Sequence, residues 1–161
     1  MIDKIYTIGV YNSTEDSFFE KLSSHGIDMF CDIRQRRGVR GAQYKYVNSL
    51  YLQAKLNELG INYRYIKELA PNNDVRQKQK DADKINNETK KLRACLGSVF
   101  IREYNTQILN NFDIDALIKT LESENVTRPV FFCVEEKAEA CHRSIVAKAL
   151  TDKLGVEIIN L

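Results

Sequence analysis

Short runs of β-branched and aromatic residues recur along the chain, each set apart from the next by residues spaced for a helix. That alternation removes most architectures from consideration. The runs at 4–10 (KIYTIGV), 29–33 (MFCDI), 61–66 (INYRYI), 130–134, opened by Pro129, and 156–161 read as strands. Between them, Phe18, Phe19 and Leu22 mark the face of a helix that Ser13 or Thr14 caps and Gly26 stops. Leu52, Leu56 and Leu59 mark a second helix over 48–59. Helical spacing returns over 92–109, then behind an Asp113 cap through Leu121, and finally over 141–154 with Gly155 as the stop. Strands alternating with helices predict an α/β fold, Rossmann-like, with a mostly parallel sheet of about five strands and helices on both faces. The stretch 70–91 is polar and charged, and it reads as a polar loop or solvated insertion within a single domain spanning 1–161.

Composition limits the classes of partner. A net charge of +2 implies no global attraction to nucleic acid or membrane, so local clusters must carry any such reading. No apolar run approaches the ~20 residues that a membrane span needs. Two of the four cysteines, Cys31 and Cys133, sit in apolar strand runs, and no signal-peptide pattern precedes the first strand. Free thiols in a reducing cytoplasm are the expectation. No motif names a cofactor, and oligomeric state is not readable from these residues.

In open parallel sheets, ligands bind beyond the carboxyl ends of the strands. Three such ends carry the candidate chemistry. Cys133-Val134-Glu135 closes one strand, and Cys141-His142-Arg143-Ser144 opens the following helix. A helix start offers unpaired N–H groups, and Arg143 adds a charged planar fork, a combination suited to a phosphate or carboxylate. The same field favours a thiolate at Cys141. Core packing also produces a cysteine after Phe131 and Phe132, so an inert thiol stands as the alternative. A C-x5-R phosphatase loop is excluded, because Glu139 and Ala147 occupy the arginine positions after Cys133 and Cys141. A zinc deaminase would need a later C-x-x-C pair, whereas here Cys141 and His142 are adjacent. Adjacent residues do not readily aim at one tetrahedral ion, which ranks a Cys133, Cys141, His142 zinc site below the anion site.

The second end places Asp32, Arg34, Arg36, Arg37 and Arg40 in a glycine-containing loop followed by Tyr44 and Tyr46. Arginines interleaved with tyrosines suit a phosphate backbone with stacked bases, while a solvated loop with Asp32 paired to Arg34 or Arg143 is the plainer reading. The first end offers Gly9 for close approach of a ligand, without the spacing of a nucleotide loop.

Taken together, Thr7-Ile8-Gly9, Asp32-Ile33-Arg34 and Cys133-x-Glu135 with Cys141-His142-Arg143 resemble the bacterial and archaeal domain of unknown function 488 family over nearly the whole chain. Members of that family often carry T-I-G-H-S in the first strand and L-G-G after the third. Here Val10 and Tyr11, and Leu69-Ala70-Pro71, stand at those places. The resemblance implies a Rossmann-like fold and a site built from Asp32, Arg34, Glu135, Cys141, His142 and Arg143, and it implies no reaction.

The leading expectation is an enzyme or enzyme-like domain acting on a phosphate-bearing small molecule or nucleic acid. In it Arg143, Arg34, Arg36, Arg37, Gly9 and Ser144 hold the ligand. Glu135 or Asp32 acts as base, Cys141 as nucleophile, and His142 relays a proton. A non-catalytic nucleic-acid-binding module and a structural Cys/His metal site are the rivals.

Overall fold

The computed structural model describes residues 1–87 and 95–161. Among them β1 (Lys4–Ile8), β2 (Met29–Asp32), β3 (Asn62–Tyr65), β4 (Pro129–Phe132) and β5 (Glu157–Asn160) form one open, all-parallel sheet in the order β3-β2-β4-β1-β5. The helices are α1 (Glu15–Ser24), α2 (Ser49–Glu58), α3 (Asn73–Ile85), α4 (Ser98–Gln107), α5 (Ile114–Ser123) and α6 (Arg143–Leu154). None is long and apolar enough to cross a membrane.

The period-two pattern of the strands separates two cores. Tyr6, Ile8, Phe30, Val130 and Phe132 face α1 and α2, where Phe18, Leu22, Leu52 and Leu56 pack on them. Ile5, Met29, Cys31 and Phe131 point the other way, onto Tyr104 of α4, Leu117 and Leu121 of α5, and Val146 and Leu150 of α6. Strands buried on both faces read as near-continuous apolar runs, which is why 29–33 and 130–134 stood out. Helix boundaries follow local signals. Thr14 forms a capping box with Ser17, Asp113 caps α5 by accepting from the Ala116 N–H, and Gly155 ends α6 at φ 68°.

Within the polar stretch, residues 73–85 are a helix begun by the Asn72 side chain accepting from the Val75 N–H. Its face is polar yet seated: the Gln79 side chain accepts from the Phe100 N–H of α4 and donates to Asp83. The expectation missed this because the buried positions are mostly amides and acids rather than leucines. The rest of the 70–91 reading lies partly outside the described residues, as does the start of the helix placed over 92–109. The described part of the latter begins at Ser98.

Topology then locates the cleft. The chain leaves β2 toward β3 by way of α2 on one face, and leaves β4 toward β5 by way of α6 on the other. Neighbouring strands β2 and β4 therefore send their connections in opposite directions, and the crevice of an open α/β sheet opens at such a switch point.

At the opposite end of the same strand pair, the Asp28 carboxylate accepts from Thr127 N (2.7 Å), Thr127 Oγ1 (2.8 Å) and Arg128 N (3.0 Å), tying the start of β4 to the start of β2. Asp28→Ala leaves those donors without a charged acceptor. We expect a loss of about 2–3 kcal/mol, read as a lower urea midpoint with an unchanged m-value.

Candidate functional site

Arg34 leaves the end of β2 and folds back onto Asp32. Its Nε and Nη2 donate to the two carboxylate oxygens at 2.9 and 2.7 Å, and Tyr63 Oη donates to the same carboxylate at 2.9 Å. The guanidinium lies over the Phe132 ring, 4.7 Å from its centroid. Asp32 is fully buried and the Arg34 side chain is 3% exposed. Asp32 is thus engaged in orienting Arg34, and the geometry does not leave it as a base. Its charge and burial push the Tyr63 hydroxyl up to about 12, burial being the larger cause. One Arg34 nitrogen, Nη1, is buried without a partner.

Arg34 lines a cleft of about 740 Å³ at the switch point. Arg36 and Arg40 come from the loop after β2, Arg76 and Lys80 from α3, Cys133 and Val134 from the end of β4, and Tyr11 and Tyr44 add two neighbouring aromatic rings. The two tyrosine rings lie 5.3 Å apart between centroids. Among the described residues, five cations line the cleft and no aspartate or glutamate does. Of the five, only Arg34 is in an ion pair among the described residues. Arg76 Nε is a second buried donor with no partner. Arg37 is elsewhere, stacked 4.4 Å over the Tyr65 ring.

Arg76 and Lys80 are the residues that sequence reasoning missed, since the charges of 70–91 read as a polar loop or solvated insertion. The usable signal was their spacing: four residues apart behind an Asn cap places both on one helix face.

On the other side of β4, Arg143 is 1% exposed. Its guanidinium donates to the Glu135 carbonyl (2.6 Å), the Glu136 carbonyl (2.9 Å) and Thr7 Oγ1 (3.4 Å). It clamps the loop after β4 to β1, and all three of its nitrogens have protein acceptors. Gly9 serves the same junction, because a Cβ there would lie 1.9 Å from the Glu135 carbonyl oxygen. Ser144 closes the turn locally, its hydroxyl donating to the Cys141 carbonyl at 2.8 Å.

The clamp brings together residues the sequence kept apart. Cys133, Cys141 and His142 are all buried and offer donor atoms within 4.8 Å of one another. The helix of the C-H-R segment begins only at Arg143. Cys141 is extended and His142 is the half-turn before the helix, so the two adjacent side chains do converge, contrary to expectation. His142 Nε2 lies 2.9 Å from the Ile33 carbonyl, and Nδ1 lies 3.6 Å from Cys141 Sγ. A carbonyl only accepts, so Nε2 carries a proton and Nδ1 is the ring nitrogen turned toward the thiol. Burial opposes ionisation of Cys141, but the Cys133 thiol, the His142 ring and Arg143 outweigh it and hold Cys141 well below the ordinary cysteine range. Cys133 moves the other way, pushed up by its contact with the Cys141 sulfur and by burial.

These three residues and Glu135 line a second cavity of about 270 Å³, which shares Arg76, Lys80, Cys133 and Val134 with the cationic cleft. Of the expected site, Cys141, His142 and Glu135 therefore meet in one cavity. Arg34 and Arg36 line the other, while Asp32, Arg143, Gly9 and Ser144 line neither and make the contacts that hold the surrounding segments. A family model described as "Domain of unknown function DUF488" matches residues 14–150, a span that contains Asp32–Arg34 and Cys133–Arg143 and begins after Thr7–Gly9. No curated protein and no solved structure matches the chain.

Arg143→Lys tests the clamp. A single ammonium cannot bond both carbonyls and the Thr7 hydroxyl, so we expect a loss of about 3 kcal/mol or more in urea denaturation. Gly9→Ala, which pushes the β4 loop away from β1, should lower the midpoint as well.

Proposed function

The chain belongs to the DUF488 family, a description that carries no reaction, and on that premise we propose that its cleft binds a phosphate-bearing ligand, best fitted as a nucleotide unit. The observation that carries the reading is the electrostatic asymmetry of the cleft. Among the described residues, Arg34, Arg36, Arg40, Arg76 and Lys80 line it with no carboxylate beside them in the lining, and two of those arginines hold buried N–H groups that lack an acceptor. A buried donor without a partner costs about 1–3 kcal/mol, and an anion's oxygens would remove that cost. The volume lies within the usual range of small-molecule sites, roughly 300–1,000 Å³. Tyr11 and Tyr44 in the lining offer ring faces for a base. The free thiols suit a reducing, cytoplasmic setting.

The enzymatic version of this reading rests on a further observation. The cleft and the thiol cavity share four lining residues, so an anion held by Arg76 and Lys80 would lie beside the Cys141–His142 pair and Glu135. In a purely binding module the affinity would depend on the arginines alone.

Fluorescence anisotropy with labelled single-stranded oligonucleotides, competed by unlabelled nucleotides at two salt concentrations, tests the proposal. Affinity should fall with salt, and Arg76→Ala or Arg40→Ala should weaken it about tenfold and reduce the salt slope by about one. Competition by a mononucleotide assigns the site to one nucleotide unit, and its failure assigns it to a longer strand. If no oligonucleotide, nucleotide or inorganic pyrophosphate binds at low salt, the reading is wrong.

A further inference from the structure

We infer that Cys133, Cys141 and His142 form a binding site for a thiophilic divalent cation of the zinc class, with one coordination position facing the second cavity. Metal binding here stands whether or not the neighbouring cleft takes a phosphate.

The donor set comes first. Two thiols and an imidazole, supplied by the end of β4 and by the residues just before α6, converge in a buried pocket. Sulfur and nitrogen together select zinc, or another borderline ion of its kind, over magnesium or calcium, which want oxygen.

Distance comes second. Zinc–thiolate and zinc–imidazole bonds of about 2.3 and 2.0 Å, at a tetrahedral angle, separate sulfur and nitrogen by roughly 3.5 Å. Cys141 Sγ and His142 Nδ1 are 3.6 Å apart. Cys133 joins them within 4.8 Å, a separation that a thiol closes by rotating about χ1.

The third argument is the imidazole's orientation. Metal-bound histidines usually donate their other N–H to a carbonyl or carboxylate, which fixes both tautomer and ring plane. His142 Nε2 sits 2.9 Å from the Ile33 carbonyl, leaving Nδ1, 3.6 Å from Cys141 Sγ, as the nitrogen able to ligate. Tyr104 holds the ring from the other element packed against it, with centroids 5.6 Å apart.

Charge agrees with these points. Two thiolates, a neutral imidazole and a divalent cation sum to zero, which is the cheapest way to bury such a set. Three protein ligands leave a tetrahedral ion one position short, the arrangement of sites that take water or substrate. All three ligands line the cavity of about 270 Å³, so that position is reachable, and Glu135 lines the same space.

The test uses the full chain purified under reducing conditions. Metal content is measured by mass spectrometry, and the metal-free protein is titrated with Co²⁺ and then Zn²⁺. The expected result is one equivalent of cobalt, with thiolate-to-cobalt charge-transfer absorption and the intense visible bands of tetrahedral coordination, displaced by zinc. Cys95→Ser, an exposed thiol outside the cluster, should leave the spectrum unchanged. Cys133→Ser and Cys141→Ser should each lose the charge-transfer intensity of one sulfur. His142→Cys keeps a donor and should retain cobalt with stronger thiolate absorption. The wild-type spectrum alone decides the matter if those variants fold poorly. Folded wild-type protein that takes up cobalt without thiolate absorption, or takes up none, overturns the inference. So does a spectrum that survives in Cys133→Ser/Cys141→Ser.

Discussion

A planar cation buried among backbone carbonyls organises this protein. Arg143 is among the largest fully buried side chains, and its donors reach Glu135, Glu136 and Thr7 rather than a carboxylate. Burying a charge in this way is tolerable only where several acceptors are fixed in advance. The loop after β4 supplies two carbonyls, β1 supplies a hydroxyl, and Gly9 supplies the room for the loop to cross. Lysine lacks the fork for this junction, and any side chain at position 9 would meet backbone. The return is positional: with the loop clamped, the end of β4 and the segment before α6 lie close enough for two thiols and an imidazole to touch. The same positive charge helps hold Cys141 below the usual thiol range.

The second buried arginine works by the opposite rule. Arg34 is neutralised by Asp32, stacked on Phe132, and left with one nitrogen unsatisfied. Pairing fixes its direction, while the leftover N–H and Arg36, Arg40, Arg76 and Lys80, which have no ion pair among the described residues, keep the cleft positive. Two arginines on either side of β4 thus divide the work, Arg143 shaping the thiol cavity and Arg34 the floor of the anion cleft. Cys133 and Val134 belong to both spaces. Chemistry of either kind would be felt in the other, because no more than the end of one strand separates them.

The all-parallel sheet and its two cores were legible in the residues, because burial on both faces demands continuous apolar runs and those are hard to mistake. Helix starts at Thr14 and Asp113 were legible for a similar reason: a side chain that accepts from an N–H three residues on is a local event. The strand ends that carry chemistry followed from the same alternation. What local pattern could not show was partnership. Asp32 might have paired with Arg34 or Arg143, and only packing against Phe132 and Tyr63 selects Arg34. Arg143 looked like an exposed anion fork because nothing in its neighbourhood names the carbonyls that consume it. Helix α3 looked solvated because its seat on α4 uses Gln79 and Asp83, residues that usually face water. Cys141 and His142 looked unable to share a target because they were placed on a regular helix, whereas an extended Cys141 turns both to one point. The sequence by itself therefore determined the layers, the strand ends and the residue types gathered there. The tertiary structure decided which charges are spent on the fold and which remain for a ligand, since that depends on neighbours more than a hundred residues away.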